Sequence, residues 1–528
     1  MTEATATPAQ QIAAGYATTG AALELGSVMV GGEADPGAQV RIPLSMMNRH
    51  GLVAGATGTG KTKTLQVIAE QLSAAGVPVV MADFKGDLSG LSRPGEGGEK
   101  LDQRAAQTGD DWVATPYPVQ FLSLGTGGIG VPVRATISAF GPILLSKVLG
   151  LNQNQESTLG LIFHYADQQG LPLLDLKDLR SVITFLTTTD EGKAQLKTLG
   201  AVSSQTAGVI LRALVNLEAD GGDTFFGEPE LEAGDLLDVD EQGRGTITLF
   251  ELGDQAARPV MFSTFLMWVL ADLFNFLPEV GDVEKPKLVF FFDEAHLLFK
   301  DASKAFLAQV EQTVKLIRSK GVGVFFCTQL PTDVPNAVLS QLGARVQHAL
   351  RAFTPDDQTA LKKTVRTYPK TKTYDLETDL TALGIGEAIV TVLSERGAPT
   401  PVAWTLLRPP RSLMDTIGPD YIKAVAQSGP LFLKYGQTVD RESAYEMLAA
   451  QMEPPPSEHQ ADEPIDLPPI VPTGFEVPPM PAPVERAEPG MLEKMMDNPA
   501  FKSAMRSAGT VIGREITRSI FGTGRRRR

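Results

Sequence analysis

Apolar positions along the chain follow two rhythms, and each predicts a different element. Runs such as Leu288–Phe292 in "KLVFFFDEAHLLF" are apolar at every position, which predicts strands buried on both faces; a strand that meets water on one side alternates apolar with polar residues. The stretches "VPVVMADF", "GTITLFELG", "GVGVFFCTQ", "RVQHALRAF" and "GEAIVTVLS", the last strand expected, read in the same way. Elsewhere apolar residues recur at three- and four-residue steps. "PILLSKVLGL", "ESTLGLIFHYADQQG", "LLDLKDLRSVITFLTT" and "AGVILRALVNLEAD" predict a run of helices over 138–215, and further helices are expected over 259–277, 303–319 and after "TPDDQTALKKTV".

The order of these elements predicts an α/β fold, a mostly parallel sheet with helices on both sides, into which a helical segment is inserted. Residues 1–14 read as a flexible tail, 15–137 as the first part of the sheet domain, 138–235 as the helical insertion and 236–412 as the second part. Residues 91–110, rich in glycine and charge, read as a loop. A helical extension follows over 413–450, then a linker over 451–489 crowded with proline and acid that cannot close a core. Residues 490–528 return to helical spacing and turn basic and amphipathic.

Composition narrows this only a little. The formal charge of −15 argues against a surface that coats nucleic acid all over, yet leaves room for a local basic stripe or a ring lumen. The single cysteine, Cys327, excludes an internal disulfide and a zinc site built on several thiolates, which fits a reducing cytoplasm. No metal-ligand spacing joins the five histidines, so His296 reads as a packing residue or a neighbour of the site. The opening residues lack the basic and apolar character of a leader, and "PVMFSTFLMWVLADLFNFLPEV", broken by Asp272, reads as a buried helix and not as an integral membrane segment.

Chemistry enters at "HGLVAGATGTGKTKTLQ", where Gly55, Ala56, Thr57, Gly58, Thr59, Gly60, Lys61 and Thr62 fill the spacing G-x-x-x-x-G-K-[ST] between a strand and a helix. Glycines let backbone amides converge on a triphosphate, and the helix start, with Lys63 just behind, adds its free amides. Lys61 reaches the β and γ phosphates and the Thr62 hydroxyl is a ligand for Mg²⁺. Asp293, first polar residue after a buried strand, is the second magnesium contact; Glu294 beside it polarises water for hydrolysis. Gln329 ends the next such strand and can reach the γ phosphate. Asp83, Lys85 and Asp87 form a further polar cluster at a strand end, open to a role at the same crevice or to plain solvation. An arginine that stabilises the charge developing in ATP hydrolysis is sought among Arg318, Arg345 and Arg351; the last two bracket a strand expected at an edge that could face a neighbour.

Together with "VMADFKGDLSGL", "FFCTQLPTDVPNAVLSQLGARVQHALRAFTPDDQ" and the terminal "GREITRSIFG", these motifs resemble the bacterial helicase HerA-like proteins once grouped as domain of unknown function 853. The resemblance spans roughly 15–440. It implies a RecA-like ATPase core of the HerA and FtsK class, assembled as a hexameric ring with sites between subunits. It also implies that Lys61 and Thr62 bind the nucleotide, that Asp293 and Glu294 are the metal aspartate and catalytic glutamate, and that Gln329 is the strand-end glutamine. Relatives of this class move double-stranded DNA, the natural extrapolation here. The amino-terminal β-barrel expected of HerA itself does not fit in the stretch before Gly55, so it is missing or cut to a few strands. Two other readings stand beside the DNA motor. One is an ATPase that remodels protein or serves a membrane-associated system, with the basic tail docking a protein partner, lipid or DNA. The other is a metabolic kinase, disfavoured by Glu294.

Overall fold

The computed structural model describes residues 6–83, 86–198, 203–251 and 259–452. Its strands are β1 (Ala22–Val30), β2 (Glu33–Pro43), β3 (Gly51–Ala54), β4 (Val79–Asp83), β5 (Val119–Leu124), β6 (Val131–Val133), β7 (Ile247–Glu251), β8 (Leu288–Phe292), β9 (Val322–Thr328), β10 (Ala344–Gln347), β11 (Glu387–Thr391) and β12 (Ala403–Leu407). They form one sheet in the order β2-β1-β12-β11-β10-β3-β9-β8-β4-β7-β5-β6. From β10 to β6 each neighbouring pair is parallel, whereas from β10 outward to β2 each is antiparallel.

Around the sheet lie α1 (Pro8–Ala14), α2 (Lys61–Ala74), α3 (Glu99–Thr108), α4 (Ile137–Val148), α5 (Gln153–Gln168), α6 (Leu176–Thr188), α7 (Asp190–Thr198) and α8 (Ser204–Ala219). Then come α9 (Pro259–Phe276), α10 (His296–Phe299), α11 (Lys304–Ile317), α12 (Asn336–Leu339), α13 (Pro355–Val365), α14 (Leu376–Ala382), α15 (Pro419–Ser428), α16 (Pro430–Tyr435) and α17 (Ala444–Met452).

Strand alternation decides which helices cover which face. Leu288, Phe290 and Phe292 of β8 join a core shared with α9, α11 and the inserted helices; Val289 and Phe291, between them, join a second core with Leu65, Ile68 and Leu72 of α2. An all-apolar strand therefore serves two cores at once. The inserted helices are continuous with the first core and extend it. Helix α9 is the one helix among the described residues long and apolar enough to cross a membrane. It is packed in that core, with Trp268 Nε1 donating to Ala139 O at 3.1 Å.

Several expectations need correction. The segment predicted as a loose tail contains α1, closed by a Thr7–Gln10 capping box and buried through Ala9 and Ile12. The segment predicted as a loop over 91–110 contains α3, whose buried residues are only Leu101, Ala105 and Thr108. "GEAIVTVLS" is not the last strand, since β12 follows it. The strand between Arg345 and Arg351 is not an edge, because β10 is flanked by β3 and β11. Before Gly55, β1 and β2 form a hairpin that continues the main sheet through β12. The predicted linker and basic tail, apart from Gln451 and Met452, lie outside the described residues, as does Lys85.

Candidate active site at the carboxyl ends of the parallel strands

Strand β3 is buried throughout and runs straight into the glycine-rich loop. Backbone hydrogen bonds fix the start of that loop: Gly55 N donates to Thr328 O at 3.2 Å and Ala56 N to Ala349 O at 2.8 Å. Gly55 has φ +152°, and a Cβ there would lie 2.5 Å from His348 Cβ; Gly60, at φ +108°, would bring one within 3.3 Å of Gly386 N. Glycine is required by backbone conformation and by close approach together. Helix α2 starts at Lys61 with no side-chain cap, so its first amides remain for an anion. Lys61 Nζ lies against the loop, 2.8 Å from Gly55 O and 3.1 Å from Ala56 O, and Thr59 Oγ1 donates to Ala56 O at 2.8 Å. The Lys63 side chain turns away, donating to Met414 O at 2.8 Å and Gln66 Oε1 at 3.2 Å.

Since β9 lies between β3 and β8, the residues that follow these strands line one edge. Asp293 Oδ1 accepts from Glu294 N at 2.9 Å. Glu294 has φ +45°, a left-handed conformation unfavourable for a residue with a Cβ. Its Oε2 is buried without a hydrogen bond, with His296 Nδ1 3.3 Å away. Gln329 is exposed at the end of β9, where Asp333 Oδ2 holds the turn by accepting from Thr328 Oγ1 at 2.7 Å and Leu330 N at 3.0 Å. Cys327 is buried below, hydrogen-bonded to Asp293, and burial and that carboxylate push its thiol well above the ordinary range.

The arginines separate. Arg351 donates to Thr57 O at 3.3 Å and belongs to the loop. Arg345 is level with Leu52, below the loop, and donates to Thr367 Oγ1 at 2.6 Å; it lines a cleft with Arg49, Lys315 and Arg318 at the amino ends of the strands. Asp83 is occupied by the turn after β4, accepting from Asp87 N at 3.1 Å and Leu88 N at 2.8 Å.

Two residues with a bearing on the site are missing from the sequence reading. His348 is fully buried under Gly55, its Nε2 2.9 Å from Thr64 Oγ1; burial, reinforced by Lys61, lowers its pKa to about 4 and keeps it neutral. Glu251 ends β7 opposite Asp83, and burial, then the carboxylates of Asp83 and Asp87, raise its pKa to about 8. Neither belongs to a short motif, so only the packed structure exposes them.

The family model for the helicase HerA-like C-terminal domain matches residues 29–528. The chain belongs to the HerA-like family. Among solved structures, the bacterial conjugative coupling protein TrwB lacking 70 amino-terminal residues is similar in fold, with TM-score 0.50 and 16% identity over 78% of this chain and 95% of that one. VirB4 of Thermoanaerobacter pseudethanolicus gives a TM-score of 0.46 and 15% identity over 74% of this HerA-like chain and 97% of its own. A TrwB structure solved with ADP and Mg²⁺ gives 0.49 and 16% over 76% and 98%. No functionally curated protein matches the chain. The fold is thus a HerA-type phosphate-loop ATPase core with a mostly parallel sheet.

Proposed function

We propose that this HerA-like chain is a Mg²⁺-dependent ATP hydrolase that assembles as a ring, with hexamers expected, and drives double-stranded DNA. The observation that carries the reading is the shared carboxyl edge of β3, β9 and β8, which gathers an uncapped helix start and Lys61, a strand-end glutamine and an adjacent acid pair.

The residues fit a magnesium nucleotide. The loop is a cradle that a Cβ at Gly55 would obstruct, and a hydroxyl and a carboxylate, Thr62 and Asp293, are the hard oxygen donors that Mg²⁺ prefers. Bound there, Mg²⁺ supplies charge neutralisation on the β and γ oxygens. Lys61 and the amides of residues 55–63 hold the phosphates. Glu294 accepts a proton from a water whose oxygen bonds to the γ phosphorus as the bond from that phosphorus to the bridging oxygen breaks, leaving ADP and phosphate. The unsatisfied Oε2 of Glu294 is an acceptor suited to that water. Gln329 hydrogen-bonds the γ phosphate, and Arg351, already tied to Thr57, steadies the loop and the charge upon it. Arg345, remote from its own loop, is left to serve a neighbour's site in the ring.

The test measures ATP turnover with and without duplex DNA over a salt series while native mass is followed. A DNA motor shows turnover stimulated several-fold by duplex, stimulation that fades with salt as phosphate contacts are screened, and a mass near six chains. DNA-independent turnover by a single chain rejects this reading in favour of the protein-remodelling or membrane-linked ATPase.

A further inference from the structure

Beside the phosphate loop lies a cavity of about 640 Å³ that the phosphate chemistry leaves unused. Gly60, Lys63 and Thr64 form one wall, so it opens where the α phosphate of a loop-bound nucleotide leaves the helix start. It extends away from β9 and β8, toward the ends of β11 and β12. Its other walls are mainly apolar, including Leu25, Leu101, Ile385, Leu407 and Pro409.

We propose that this cavity holds the base and ribose of the nucleotide and selects a purine by stacking area and shape, with little discrimination between adenine and guanine. The inference rests on the nucleotide-site reading above. A turn at Ile385–Gly386 joins loop and cavity: Gly386 N donates to Thr59 O at 3.2 Å, Leu407 N donates to Gly386 O at 2.9 Å, and Arg104 donates to Gly386 O at 3.3 Å and Ile385 O at 3.4 Å. The Ile385 side chain gains nothing from packing in the protein, being 75% exposed at the cavity mouth, and is free to cover a flat ring.

The polar groups of the walls explain the lack of a hydrogen-bond code. Arg104 is committed to the two carbonyls just named. Arg408 ion-pairs with Glu24 at 3.0 Å and Asp110 at 2.5 Å, Trp112 Nε1 occupies Pro410 O at 2.7 Å, and Pro409 and Pro410 have no N–H to offer. Arg408 Nε, in a side chain 8% exposed, is buried without a hydrogen-bond partner among the described residues. It suits N7, an acceptor that adenine and guanine share and that pyrimidines lack. A pocket of this size with apolar walls and one or two polar anchors is the usual form of a site for a flat ligand.

Equilibrium competition against a fluorescent ribose-labelled ATP, on the full chain, tests the inference. ATP and GTP are expected within about threefold of each other, CTP and UTP at least about tenfold weaker, and inorganic tripolyphosphate weaker still. Ile385→Asp is expected to weaken ATP about tenfold and leave tripolyphosphate unchanged. Equal competition by CTP and ATP overturns the proposal, as does an Ile385→Asp effect that falls equally on ATP and tripolyphosphate or on neither. Failure of the nucleotide site itself looks different: tripolyphosphate and all nucleotides then bind no better to the wild type than to Lys61→Ala. The wild-type series stands even if the variant misfolds.

Discussion

Single side chains divide the proposed work between holding a triphosphate and cutting it. Lys61→Ala is expected to abolish turnover and weaken ATP binding at least about tenfold, read by titration calorimetry. Glu294→Gln keeps the shape of the side chain while removing its basicity, so ATP binding should persist while turnover falls by roughly 10²–10⁴ in a phosphate-release assay. Unchanged turnover would remove the role assigned to Glu294. Away from the acid pair, Glu251 makes stability depend on pH. Its pKa is raised from 4.5 to about 8, so the folded chain keeps a proton over that interval that the unfolded chain has released. Its contribution is complete below about 4.5 and is lost as pH rises through about 8. The melting temperature should therefore fall by roughly a few degrees between pH 6 and 9, and Glu251→Gln should flatten that fall.

At the scale of elements, one buried carboxylate joins distant parts of the chain. Asp178, on α6, accepts from Leu174 N at 2.8 Å and Asp175 N at 3.1 Å with one oxygen, and from Tyr445 N at 2.9 Å and Ser443 Oγ with the other. Asp178→Ala leaves those donors buried and unpaired at a cost of about 3 kcal/mol or more, so α17 should detach early, seen as faster amide exchange over 444–452. Asp178→Asn should cost less, since one oxygen remains.

The same scale explains what the sequence makes legible. β8 and β9 are readable because strands buried on both faces have no polar positions, and the phosphate loop because its eight residues are contiguous. α3 escapes notice because only three of its ten residues are buried and glycines flank it. β6 is three residues long, too short for alternation to register. His348 acquires its place from contacts with Gly55 and Thr64, far away in sequence. Arg345 and Arg351 look equivalent in the sequence, and the direction of β10 alone sends one to each end of the sheet.

For the whole molecule, the candidate site residues all fall between Gly55 and Arg351, well before the basic tail. Removing 490–528 should therefore keep turnover per chain within about twofold while changing native mass or the capture of a partner; identical mass, activity and binding would refute a role for the tail in assembly. The isolated thiol of Cys327 offers a different kind of access. It is 1% exposed and is the only sulfur nucleophile in the chain, lying beneath Asp293. A chromogenic disulfide can modify it only when the floor of the crevice parts, so one equivalent of released dye counts one opening per subunit. The unmutated protein thus carries a built-in clock for its own breathing, slowed by whatever ligand clamps the edge shut.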